Sequence, residues 1–148
     1  MAKIEESVLI DRPIEEVWRF ITDISKVPRW DTHVLEAKQT SAGPLGLGAT
    51  LELREKMGNI NMTQLQRVIE YEPNRKFSVE NTSGPAKGTI IMFSVETVEG
   101  KTRFTSTDDV RFNGFYNLVG PFVTRWLRRA VANSVGNVKR ILESEAKS

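Results

Sequence analysis

The sequence predicts an α+β fold in which a curved, seven-stranded antiparallel sheet packs against one long C-terminal helix. Three observations carry this. Turn signals recur at short intervals, at Gly43-Pro44, Gly58-Asn59, Pro73-Asn74, Ser83-Gly84-Pro85 and Glu99-Gly100, and short connections between successive strands make an antiparallel meander. The runs between those turns alternate apolar and polar residues, the period of a strand. After Val119 the period changes to that of a helix: Val123, Trp126, Ala130, Ser134, Val138 and Ile141 share a stripe, widened by Leu127, Val131, Val135 and Leu142.

The elements follow in order. A first strand covers Lys3 to Ile10. Pro13 then suits the first helical position, where its missing N–H costs nothing, and Glu15 and Glu16 occupy the first turn, where the helix dipole favours carboxylates. Ile14, Val17, Trp18 and Ile21 form the apolar stripe of this short helix. Pro28 is expected to stop helical continuation and to bias Val27 toward an extended backbone. Six further strands are expected at His33–Gln39, Ala49–Met57, Ile60–Tyr71, Arg75–Asn81, Lys87–Thr97 and Thr102–Phe112. Most exceed the common strand length of about five or six residues, as a strongly curved sheet requires. The closing helix runs from Val119 to about Glu143, about 35 Å at about 1.5 Å per residue, with Phe115–Leu118 open as a preceding turn of the same element. Only the face of the sheet is large enough to cover its stripe.

Alternation assigns the inner face. In the last strand Thr102, Phe104, Ser106, Asp108, Val110 and Phe112 share a side, so the three large apolar residues carry Ser106 and Asp108 inward. Phe77, Val79 and Asn81 point in, as do Leu51, Leu53 and Met57, with Glu55 among them. Ile91, Phe93 and Val95 are the inner set of their strand; Ile60, Met62 and Val68 share a face with Gln64 and Gln66. Such a face, mostly apolar with a few polar groups, fits a ligand pocket and equally an ordinary core with locally satisfied polar groups.

Composition narrows the function. The 148 residues suit one domain, residues 1–148, with a core large enough to need no disulfide or metal. A formal charge of +2, from 21 basic and 19 acidic residues, gives little support to nucleic-acid binding. With no cysteine and one histidine, His33, neither a thiolate nucleophile nor a multi-histidine metal site is available, and no cofactor is expected. The first residues lack a secretory apolar region and no window reaches the roughly 20 apolar residues of a membrane span, so a cytoplasmic protein without stable membrane insertion is expected. The oligomeric state is not legible.

Several soft motifs together resemble the START-like (SRPBCC) superfamily, and within it the polyketide cyclase/dehydrase and lipid-transport branch. They are Ile10-Asp11-Arg12-Pro13 with Glu16-Val17-Trp18, then Asp23, Pro28 and Trp30, then Gly46-Leu47-Gly48-Ala49-Thr50. Val68-Ile69-Glu70-Tyr71-Glu72-Pro73 and Gly100-Lys101-Thr102-Arg103 complete the set, which covers nearly the whole chain. The resemblance implies a helix-grip fold, with two short helices between the first and second strands and an internal cavity between sheet and C-terminal helix. Members bind lipids, polyketides or other apolar molecules, some catalyse cyclisation or dehydration, and others act through protein contacts. It does not name a ligand.

Within that frame, a hydrophobic small molecule is the expected partner. Leu51, Leu53, Phe77, Val79, Ile91, Phe93, Phe104, Val110 and Trp126 would supply contact area, and Ser106, Asp108 and Gln66 would orient the ligand. Trp18, Trp30 and Trp126 fit core anchors; Trp30 and Trp126 are also candidates for ligand contact. Tyr116 with Asn113-Gly114, or the Gly43–Gly48 loop, could gate the mouth. If the protein is instead a cyclase or dehydratase, the candidate catalytic groups are Asp108 and Glu55, whose desolvation would raise their pKa, and His33 as a general base. The plainer readings are carboxylates in a network at the mouth and a surface histidine at a strand entry, and a third function class is a ligand-free interaction module acting on a partner protein. Arg125, Arg128 and Arg129, with Lys139 and Arg140 further on, form a solvated basic face or one attracted to an anionic surface.

Overall fold

The computed structural model describes residues 2–111 and 116–145, apart from the side chains of 2, 57 and 112–121. The inward placement of Met57 and Phe112, and the gate assigned to Asn113-Gly114 and Tyr116, therefore lie outside the described residues. Strand β1 (Ala2–Ile10) leads into α1 (Ile14–Ile21), a 3-10 turn (Ile24–Lys26) and the one-turn α2 (Val27–Trp30). The meander follows: β2 (Val34–Gln39), β3 (Thr50–Met57), β4 (Ile60–Glu72), β5 (Lys76–Asn81), β6 (Ile90–Val98) and β7 (Lys101–Val110), closed by α3 (Tyr116–Glu145). The seven strands form one antiparallel sheet in the order β1-β7-β6-β5-β4-β3-β2. β1 thus crosses to pair with β7, while every later strand pairs with its neighbour in sequence.

Turn chemistry accounts for the tight hairpins. Gly58 (φ +60°) is the first central residue between paired Met57 and Ile60, where a type II′ turn requires glycine. Between Val98 and Lys101 both Glu99 (φ +51°) and Gly100 (φ +81°) are left-handed, the type I′ pattern that matches strand twist. Bulges between Val34 and Glu36 and between Val68 and Glu70 bend the sheet.

Several local expectations are corrected. Pro13 is the N-cap of α1, with extended backbone (ψ 153°), rather than its first helical residue. Phe20 joins Val17, Trp18 and Ile21 on the buried side. Pro28 does not stop the helix: Val27 is helical (φ −52°, ψ −43°) and Pro28 sits in the first turn of α2, where no intrahelical N–H is needed. Burial of Val27 in the core outweighs the steric bias that proline places on its predecessor. β6 begins at Ile90, because residues 84–88 form turns whose N–H groups bond locally, including Gly88 N to Asn81 O at 2.9 Å. α3 is also longer than expected, 30 residues or about 45 Å.

The inner faces follow the alternation. Phe104, Ser106, Asp108 and Val110 of β7 are buried, as are Phe77, Val79 and Asn81 of β5, Leu51 and Leu53 of β3, and Gln64, Gln66 and Val68 of β4. α3 covers its stripe on the sheet's face, packing most closely against β1, β7 and α2. Its C-terminal half is fastened there. Val135, Val138, Ile141 and Leu142 join the main core; Lys139 Nζ donates to Leu9 O (2.6 Å), Asp11 N to Glu143 Oε2 (2.9 Å), and Asn137 Nδ2 to Trp30 O (3.1 Å). The N-terminal half crosses above strands it does not touch so closely, and space is left beneath it.

Candidate functional site

That space is a cavity of about 130 Å³ between the sheet and α3. A smaller one of about 60 Å³ adjoins it toward α1 and α2. Trp30, Asp31, Glu55, Gln66, Ile91 and Phe93 line both, so the two are neighbouring chambers with a common wall. The larger is on the scale of cavities of about 150 Å³ that take up a single aromatic ring.

The sequence-predicted residues divide between these chambers. Ser106, Asp108, Val110, His33 and Trp126 line the larger one; Leu51, Leu53, Phe77 and Val79 line the smaller. Phe104 lines neither. It is fully buried behind the wall, edge-on to Trp30 and stacked with Phe93. Trp18 is a core anchor, edge-to-face with Tyr71 and Phe77 at 5.7 Å. Trp126 is not an anchor: it is 36% exposed at the mouth and meets the His33 ring edge-on at 5.2 Å. The side chain of Tyr116 is outside the described residues. The Gly43–Gly48 loop lines neither chamber; Pro85 and Ala86, between β5 and β6, line the larger one instead.

Four titratable side chains converge on one wall. β7 places Asp108 there, where Ser106 Oγ donates to Asp108 Oδ1 (3.3 Å). β3 places Glu55 by the same alternation that buries Leu51 and Leu53. Asp31 caps the C-terminus of α2 and accepts from Ser134 Oγ of α3 (3.4 Å), and His33 Nε2 lies 3.0 Å from Asp31 Oδ1. Sequence reasoning missed Asp31, because a residue between a helix and a strand has no alternating face to place it.

Burial dominates the electrostatics. It pushes Asp108 up to about 7 against the Ser106 hydrogen bond, and Asp31 up to about 7 against that of Ser134. Glu55 rises to about 7 through burial first, then the charges of Asp31 and Asp108, with His33 opposing. Burial also lowers His33, partly offset by Glu55. The Asp31–His33 contact thus joins two groups whose charged forms are both disfavoured by burial. Around the wall stand neutral polar groups, among them the pair in which Gln66 Nε2 donates to Asn81 Oδ1 (3.0 Å). Trp30 is 2% exposed, and its Nε1 has no partner among the described residues. The described residues contain no cluster suited to a metal ion, and no described helix is long and apolar enough to cross a membrane.

Comparison with solved structures places this architecture among helix-grip proteins. The protein TTHA0849 from Thermus thermophilus superposes with a TM-score of 0.82 at 14% identity, covering 97% of this chain and 99% of that one. The ZhuI aromatase/cyclase from Streptomyces sp. R1128 gives 0.79 at 12% identity, over 98% and 95%. The polyketide-cyclase-like protein Cgl2372 from Corynebacterium glutamicum gives 0.65 at 23% identity, over 97% and 93%. At these identities the likeness is one of fold. No curated protein matches the sequence. The family model described as polyketide cyclase / dehydrase and lipid transport matches residues 1–143, and the chain belongs to that family.

Proposed function

We propose that the protein binds an amphipathic, ring-bearing small molecule in the chamber beneath α3. The observation that carries this reading is the chamber itself, whose walls divide by chemistry. Trp30, Ile91, Phe93 and Val135 offer apolar surface, and the Asp31, Glu55, Asp108 and Ser106 wall offers hydrogen bonds. A ligand with an apolar body and one polar end would satisfy both. Native mass spectrometry of freshly purified protein should show a retained ligand or accept a neutral single-ring probe such as benzyl alcohol. Ala130 faces the chamber from α3, so Ala130→Trp should fill it and weaken the probe by about tenfold or more with unchanged circular dichroism. Equal binding to this variant would remove the chamber as the site.

A second reading, a cyclase or dehydratase acting on a polyketide-like substrate, draws on one further observation. Carboxyl groups brought to about 7 are present in both protonation states at neutral pH, so one can accept a proton while another donates. In a dehydration, an ionised carboxylate would take the proton alpha to a carbonyl. A protonated carboxyl would give its proton to the departing hydroxyl, releasing one water and leaving the protein's proton count unchanged. Asp108→Asn should then abolish turnover while the neutral probe still binds; unchanged turnover would take Asp108 out of the reaction.

A further inference from the structure

The charged and titratable groups lining the larger chamber are unevenly signed. Asp31 comes from the end of α2, His33 from the turn after it, Glu55 and Lys56 from β3, and Asp108 from β7. α3 contributes no charged group to this lining among the described residues, only Ser134 as a polar one. Lys56 follows Glu55 in a strand, so its side chain leaves by the opposite face, and it is exposed. Among the described residues, no buried guanidinium or ammonium in this lining answers the three carboxyl groups. They are largely withdrawn from solvent, Asp108 at 8% exposure, and burial first, with repulsion among them second, favours their protonated forms.

The Trp30 indole N–H, buried without an acceptor among the described residues, has almost no accessible surface and is sealed from both chambers. The wall therefore asks its occupant for one thing, a donor or positive charge for the carboxylates.

Resting on the binding reading above, we infer that the ligand class is an aromatic amine, bound as the ammonium against Asp31, Glu55 and Asp108. An anionic ligand such as a fatty acid or free carboxylic acid is disfavoured by the same wall. The ammonium favours ionised carboxylates, so binding below and around neutrality expels protons, and affinity rises with pH until the amine itself deprotonates. A carboxylate ligand requires the protonated wall and shows the opposite slope.

The test uses three probes on one ring, benzylamine, benzyl alcohol and benzoate, titrated calorimetrically into the intact chain. The amine is expected to bind more tightly than the acid by about tenfold or more at about pH 8, with affinity rising from about pH 6 to about pH 8. Titration in two buffers of different ionisation enthalpy should show net proton release with the amine. Glu55→Gln and Asp108→Asn, both near-isosteric, should narrow the gap between amine and alcohol while the alcohol still binds. If the alcohol binds but amine and acid bind equally, or if binding the amine takes up protons, the inference is overturned and the chamber reading stands. If none of the three binds, both fall together. The proton-release measurement needs no variant, so a substitution that fails to fold does not blunt the test.

Discussion

Asp31, Glu55 and Asp108 each carry a carboxyl group that burial drives up to about 7, and this gives stability a direction in pH. In the unfolded chain such groups titrate near about 4. Between about pH 4 and about pH 7 the native state therefore binds more protons than the unfolded state, and stability falls as pH rises. The loss is complete above the folded values. The melting temperature should be lower at about pH 8 than at about pH 5. Asp108→Asn removes one of these titrations and keeps an acceptor for Ser106 Oγ. If it recovers about 2 kcal/mol at about pH 8, Tm rises by about 4–8 °C there, with a smaller change at about pH 5. Calorimetric scans of both proteins at the two pH values check this, and a pH-independent difference would contradict it.

At the scale of elements, α1 is held to the core by Val17, Trp18, Phe20 and Ile21, of which Trp18 is the largest. Trp18 stands edge-on to Tyr71 of β4 and Phe77 of β5 and belongs to the main core. Trp18→Ala should cost about 3–5 kcal/mol and Trp18→Phe distinctly less, as read from urea unfolding. A loss below about 1 kcal/mol for the alanine variant would show that α1 is held by its other contacts. The strands themselves were legible. Alternation placed Leu51, Leu53, Phe77, Val79, Ser106 and Asp108 on the inner face, because a strand has only two faces and the bulky apolar residues choose one. Alternation says nothing of depth, however. It could not separate Phe104, sealed behind the wall, from Ile91, which lines the chambers. Nor could it divide one inward set between two chambers. Asp31 and Ser134 escaped for another reason: their meeting depends on how α3 docks beside α2, a contact between segments about a hundred residues apart with no local pattern.

The whole molecule explains why there is a chamber at all. α3 is fastened at one end of the curved sheet, along β1, β7 and α2, while the bulged strands carry the sheet away from it. Hydrophobic closure is completed around the C-terminal half of the helix, and the remaining gap is bounded on the α3 side by Val123, Trp126, Leu127 and Ala130. The common wall between the two chambers has a consequence for selectivity. Trp30 is the largest of the six residues that line both spaces. Trp30→Ala should therefore join the spaces of about 130 and about 60 Å³, at a stability cost of about 3–5 kcal/mol. The joined hollow should move preference from a one-ring alcohol, benzyl alcohol, to a two-ring one, 2-naphthalenemethanol, in parallel calorimetric titrations; an unshifted preference would mean the chambers stay apart. With that shift, one indole serves as a ruler for the occupant while the sheet and helix stay as they are.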